Sequence, residues 1–413
     1  MRLRLRRRVL RGTHRWLGAL ACAILVTLSL AATPARAQID PVRRDLVEFG
    51  YDQPLAGHLP LSLYTFYYFN RPHFLDSEHA LRLAIAPTYV DGEWATPHAL
   101  GANTDFAFDF QGGGFAADYD EIRSGRWFRD QSFKGYDGGV GVDLYHLFNP
   151  GKLIPLYGVV RGGFRYFTFD RDSDTGADFV LPRDQPVASL RLGLRFGGEE
   201  PVLVPDRAAE LSVWYDGEIR LEPGTYGYAS DRRVQSNVQR FLARAFVAYT
   251  LPDSAQRFSV QAVGGASVHP DRLSAFRLGG VFMMDAEFPL VIPGYAENEL
   301  SARNFVLLGG DYSVPIDAAR RWRVGVGASV ARVDYTPGLE QPRAWNTGAS
   351  ATLGYEAPSQ GWRGQLVYGH GFDAIRHGRR GADSVSLMFE VDLERLGYVA
   401  AGARDAAART ASR

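Results

Sequence analysis

SVSLMFEVDLE, residues 384–394, sets Val385, Leu387, Phe389, Val391 and Leu393 against Ser384, Ser386, Glu390 and Asp392. Apolar and polar residues alternate with a period of two, the pattern of a strand with one apolar and one polar face. The same alternation recurs back along the chain. Leu190, Leu192, Leu194 and Phe196 stand against Ser189, Arg191, Gly193 and Arg195, and Val140, Val142 and Leu144 against Gly141 and Asp143. Strands are predicted near 61–69, 78–90, 102–116, 136–149, 154–170, 186–196, 208–222, 234–251, 255–268, 300–316, 319–335, 343–357, 360–374 and 382–394.

Many of these exceed the five or six residues usual in a soluble strand, and their length suits a tilted strand crossing a bilayer. A sheet exposed to lipid must close, because an open edge leaves backbone groups unsatisfied in hydrocarbon. The fold expected is therefore all-β, a transmembrane antiparallel β-barrel of about fourteen strands within a range of twelve to sixteen. With both termini in the periplasm, the tight turns near Asn149, Pro252, Pro315 and Pro358 fall inside. The long connections 117–135, 171–185 and 269–299 fall outside, as in bacterial outer-membrane barrels. Segments 91–101 and 197–207 are longer than that rule prefers. The polar faces carry Arg82, Asp105, Asp109, Asp143, Arg161, Arg165, Arg191, Arg195, Glu210, Asp216, Glu218 and Glu390, a lumen of mixed charge. Tyr145, Tyr157, Tyr166, Tyr249, Trp322, Trp345 and Trp362 are read as interfacial girdles.

Residues 1–37 read as a signal peptide, with a basic head, an apolar body from Trp16 to Ala32 and an Ala35-Arg36-Ala37 exit. Eight of the 46 basic residues and none of the 46 acidic ones lie there, leaving 38 against 46 and a net charge of −8. That balance argues against a nucleic-acid partner. Cys22, the single cysteine, lies in the same segment, so the exported chain has no disulfide. Residues 38–60 are expected to form a short periplasmic segment, 61–394 the barrel, and 395–413 a polar Ala/Arg-rich tail.

The stretch from His269 to Ile316 carries the most information about function. It contains Phe276-Arg277-Leu278-Gly279-Gly280, then Pro293-Gly294-Tyr295, then Phe305-Val-Leu-Leu-Gly-Gly-Asp-Tyr-Ser-Val-Pro315. A loop of such length is functional or disordered, and its apolar content argues against disorder. These phrases resemble the BamA/TamA-type (bacterial surface antigen) superfamily of outer-membrane barrels, over roughly residues 255–394. Five strands follow the signature loop in that family, and five are predicted to follow it here. The resemblance implies that the loop folds into the lumen and that its tip, Pro293-Gly294-Tyr295, touches acidic and glycine-rich positions on the following strands. Asp311, Gly325, Gly327 and Asp334 are the facing positions so implied. The family's tip arginine is replaced by Pro293, so the charge-assisted lock it would make to a carboxylate is missing there; Arg277 is the candidate substitute. The family's periplasmic modules have no counterpart in the short segment before the barrel, which leaves protein translocation in question.

Other motifs carry less. Asp170 to Asp178 is rich in acids, but its glycine falls one residue late and Leu181 stands where a calcium loop needs a bidentate glutamate, so it reads as a solvated loop. His146 reads as an interfacial residue with no serine beside it for lipid hydrolysis. His269 and His370 lack zinc-ligand spacing, and Gly112-Gly113-Gly114 reads as strand glycines. No catalytic residue, cofactor or metal is expected. The function expected is a non-enzymatic barrel in the Gram-negative outer membrane, plugged or gated by its long loop, with outer-membrane lipids and separate periplasmic proteins as partners. A passive small-solute channel is the alternative, and a lipid-acting enzyme a more distant one.

Overall fold

The computed structural model describes residues 40–114, 117–282 and 287–397. The segment read as a signal peptide and the tail beyond Gly397 lie outside the described residues. Sixteen antiparallel strands form one closed barrel. They are β1 (Arg44–Pro54), β2 (Ser62–Pro72), β3 (Ala80–Ile85), β4 (Tyr89–Thr96), β5 (Thr104–Gly114), β6 (Phe133–Leu147), β7 (Leu156–Arg171) and β8 (Gln185–Gly198). There follow β9 (Arg207–Arg220), β10 (Asn237–Thr250), β11 (Arg257–Val268), β12 (Leu300–Pro315), β13 (Trp322–Tyr335), β14 (Trp345–Glu356), β15 (Trp362–Arg376) and β16 (Arg379–Asp392). Each strand pairs with its neighbours in sequence, and β1 pairs with β16 from Leu46↔Asp392 to Pro54↔Ser384, which leaves no open edge. A short extra strand, Phe276–Leu278, lengthens the pairing of β12.

Two departures from the predicted count have different causes. Residues 38–60 were expected outside the barrel, yet Arg44–Pro54 is its first strand and pairs on both sides. Val47, Phe49 and Tyr51 do alternate there, but the opposite face, Glu48, Gly50 and Asp52, is as polar as a loop. The predicted strand 78–90 is two strands that turn at Pro87-Thr88, where Ala86 N–H donates to Tyr89 O at 2.8 Å. Both additions together preserve the parity of every later connection, and the overlong segment 91–101 holds most of β4 and a turn.

The mouth that holds the chain's two described ends (the near mouth) has short connections; the far mouth has the long ones. Outside, large apolar side chains such as Val140, Val142, Leu192, Leu194, Val306, Leu308 and Val326 are exposed. A belt of this kind is what a lipid-facing wall requires. Trp322, Tyr355, Trp362 and Phe389 form a continuous aromatic row near one rim, with ring centroids 4.8 to 5.3 Å apart. Tyr145 and Tyr157 depart from the girdle reading: both are buried, and Tyr145 donates its hydroxyl inward to Glu93 at 2.8 Å. Inside, opposite charges pair across strands, Arg82 with Asp91 at 2.7 Å, Arg195 with Glu210 at 2.7 Å and Arg240 with Glu218 at 2.6 Å.

Candidate functional site

The connection 269–299 leaves the far mouth and runs among the inward-facing side chains. Gly279 and Gly280 make its turn: both have positive φ, 134° and 71°, and a Cβ on Gly279 would stand 2.2 Å from Ala296 O. Only glycine fits such a position without strain. Gly279 N–H then donates to Leu290 O at 3.1 Å and Gly280 N–H to Tyr295 O at 3.2 Å, tying the outgoing and returning limbs together. Val281 and Phe282 are buried with Val367 and Met388 of the wall, and the Phe282 ring meets Tyr64 at 4.8 Å. On the opposite side Phe288 lies 5.5 Å from the Trp214 ring. Glu287 Oε2 stands 3.0 Å from Arg191 Nη1 and 3.9 Å from Arg161 Nη1.

The tip Pro293-Gly294-Tyr295 rests on a floor of glycines. A Cβ on Gly348 would meet Pro293 O at 2.3 Å, one on Gly369 would meet Gly294 N at 2.6 Å, and one on Gly371 would meet the Tyr295 ring at 2.9 Å. Tyr295 is buried and donates its hydroxyl to Asn346 Oδ1 at 3.1 Å; Asn346 Nδ2 donates onward to Tyr335 Oη at 2.8 Å. The tip therefore faces β14 and β15. The implied positions on β12 and β13 are occupied elsewhere. Asp311 accepts from Ser259 Oγ at 3.2 Å and crowds Gly327, Gly325 packs on Ser313, and Asp334 pairs with Arg303 at 2.8 Å. Glycine content drew attention to β13, but β14 and β15 carry glycines on their inward face at the height of the tip.

A charge-assisted lock exists with its partners exchanged. Glu299, on the returning limb, takes two bonds from Arg376 of β15, 2.7 Å to Oε1 and 2.8 Å to Oε2. The side chains are 1% and 3% exposed. Glu299 Oε2 also accepts from Ala296 N–H at 2.8 Å, so the lock fixes the turn that follows the tip. Two parallel bonds of this kind give direction as well as strength. Arg277 does not serve in this way: it donates to Ser301 Oγ at 2.6 Å and to Arg272 O at 3.0 Å.

The far mouth is covered. Tyr119, Phe133, Phe179, Tyr226 and Val234 form one apolar cluster drawn from several connections. Beneath it Glu121, fully buried, pairs with Arg232 at 3.4 Å, with Arg123 at 3.3 Å and with Arg272 of the long loop. Burial, and then Glu121, push the Tyr119 hydroxyl well above its usual range. Burial also raises Asp120, against the Trp127 indole N–H that donates to it at 2.9 Å. Two acids of the run 170–178 form ion pairs, Asp172 with Lys134 and Asp174 with Arg129, each at 3.2 Å. Inside lies a cavity of about 260 Å³ beside β3–β10, lined by Arg82, Asp109, Arg161, Arg165, Asp216 and others of both signs. His146 bonds Thr104 Oγ1 at 2.8 Å, and His370 bonds Asp383 at 2.7 Å.

Fold and site together define a sixteen-stranded barrel of the Gram-negative outer-membrane type, with a long loop lying inside it. No protein-family model and no curated protein matches the chain. Among solved structures it is similar to CdiB from Acinetobacter baumannii, with a TM-score of 0.53 and 12% identity over 87% of this chain and 64% of that one. It is also similar to BamA from Haemophilus ducreyi lacking POTRA domains 1–3, with a TM-score of 0.51 and 9% identity over 84% and 70%. The likeness to CdiB from Escherichia coli has a TM-score of 0.50 at 13% identity, over 85% and 63%. The chain spans a little under two thirds of the two CdiB chains. At these identities the likeness is one of fold, and it supports the BamA/TamA-type resemblance at that level.

Proposed function

We propose that this protein is a non-enzymatic, gated pore of the outer membrane, and that residues 269–299 are its gate. The near mouth would face the periplasm, where separate partner proteins would act on it, and the apolar outer belt would face lipid. One observation carries the reading: the loop crosses the lumen and is held at both walls, by Glu299 on Arg376 and by Glu287 on Arg191. A permanent plug would need no charge at either contact, whereas ion pairs at both walls give the loop contacts whose partners water can take up when they part. The similarity to BamA and CdiB barrels is consistent with a role in assembly or export.

The runner-up is a passive channel for small polar solutes, favoured by the mixed-charge cavity of about 260 Å³. Conductance in planar bilayers separates the two. A gate predicts low conductance with brief openings for the refolded chain, and sustained conductance after residues 281–291 are replaced by a short Gly-Ser linker. Conductance that the replacement leaves unchanged would sink the gate and favour the passive channel.

A further inference from the structure

The connection between β8 and β9 has the sequence EEPVLVPD, residues 199–206, and does not stay beside the strands it joins. In a ring of sixteen, β8 and β9 stand half a circumference from β16 and β1. Yet Glu200 Oε2 lies 3.5 Å from Arg44 Nη2 of β1. Leu203 N–H donates to Glu390 Oε2 of β16 at 2.6 Å, and Arg363 Nη1 of β15 donates to Val204 O at 3.1 Å. The segment is a strap across the near mouth. Gly197 permits the departure: its φ is +79°, and a Cβ there would stand 1.9 Å from Ala209 O.

The way the strap is held is the way a peptide ligand is held. Its carboxylates sit on wall arginines, Glu199 on Arg244 at 2.7 Å and Asp206 on Arg257 at 2.8 Å, in addition to Glu200 on Arg44. Adjacent backbone groups, the N–H of Leu203 and the C=O of Val204, meet a fixed carboxylate and a fixed guanidinium. The Leu203 side chain fills a buried apolar site made with Val367 and Met388. Charge-assisted contacts at each acid, backbone recognition in the middle and one apolar anchor together read an extended chain rather than a folded surface.

We propose that the near mouth is a binding groove for an extended acidic segment of polypeptide, and that residues 199–206 are its built-in occupant, an autoinhibitory strap that such a segment displaces. An occupant on the same chain competes at an effective concentration in the millimolar range, so the intact barrel binds a free segment weakly. The proposal concerns binding and stands whether or not the long loop gates conduction.

The test uses fluorescein-labelled GEEPVLVPD, copying residues 198–206, with fluorescence anisotropy as the readout. The refolded full chain is compared with one in which residues 199–206 are replaced by Gly and Ser. The replaced chain should bind the peptide tighter than the full chain by about tenfold or more. A peptide with Gln at both Glu positions should bind the replaced chain severalfold more weakly, and Arg44→Ala within it should weaken binding by a smaller factor. Equal binding to the two barrels, no binding to the replaced barrel, or indifference to the Glu-to-Gln change overturns the proposal. If the replaced chain does not fold, as judged by heat-modifiable migration, full-length protein carrying Glu199→Gln and Glu200→Gln supplies the weakened strap. Tighter binding than wild type again supports the proposal, and equal binding overturns it.

Discussion

At the scale of single residues, the ion pair that holds the loop tip, Glu299 with Arg376, is strongly buried. Removing one member of a buried, hydrogen-bonded ion pair strands the other and costs about 3–5 kcal/mol. Arg376→Ala and Glu299→Gln are therefore each expected to release the loop tip, read as new cleavage within 281–298 by protease added to the far side. The double variant should be less damaging than the sum of the two, because it leaves no orphaned charge. Glu48 presents the opposite case. It is 1% exposed, lies opposite Glu390 in the β1–β16 pairing, and neither carboxylate oxygen has a hydrogen-bond partner among the described residues. Glu48→Gln is expected to leave the thermal unfolding midpoint unchanged or raise it, since burying an unpartnered acid is unfavourable. Glu390→Gln should lower it, since Glu390 serves Arg363 at 3.0 Å and the Leu203 N–H. Heat-modifiable gel migration across a temperature series measures both. None of these pairings was legible in the sequence. The missing tip arginine was, but nothing in a one-dimensional pattern says that Arg376, on another strand, takes its place with the acid on the loop.

At the scale of elements, alternation revealed most strands because a lipid-facing wall must be apolar on every second residue. It failed where the inward face was polar enough to resemble a loop, as in β1, and where two short strands shared one apolar run, as in β3 and β4. The loop reads as functional by its length and apolar content, but the resemblance placed its seat on β12 and β13, and position along a strand does not reveal height in a tilted barrel. The seat that exists makes a sharp demand on Gly294. Its φ is +81°, and a Cβ there would lie 1.9 Å from Gly371 N, a backbone atom that cannot swing aside. Gly294→Ala is expected to unseat the tip without unfolding the barrel, since no strand pairing involves it. Loss of protection of Tyr295 against surface labelling, with heat-modifiable migration retained, is the expected outcome; full protection would show that the wall can yield.

At the scale of the whole molecule, two segments enter the same lumen from opposite ends and meet. Leu203 of the strap packs with Val281 and Phe282 of the long loop, in the same cluster as Val367 and Met388. Obstructions in series do not contribute equally, and the larger one governs until it is removed. The loop runs from the far mouth down to the strap and touches both walls, whereas the strap is eight residues crossing one mouth. Replacing the strap alone should therefore change single-channel conductance little, because the loop still fills the path. Replacing loop residues 281–291 should raise it severalfold, and replacing both should raise it further than the two separate changes combined. Leu203→Gly, which removes the contact but keeps the strap, should act on kinetics and not on pore size, giving more frequent openings of unchanged amplitude. A larger conductance gain from replacing the strap than from replacing the loop would mean that the strap, and not the loop, sets the narrowest point. The order of the two barriers would then be the reverse of the one the contacts describe.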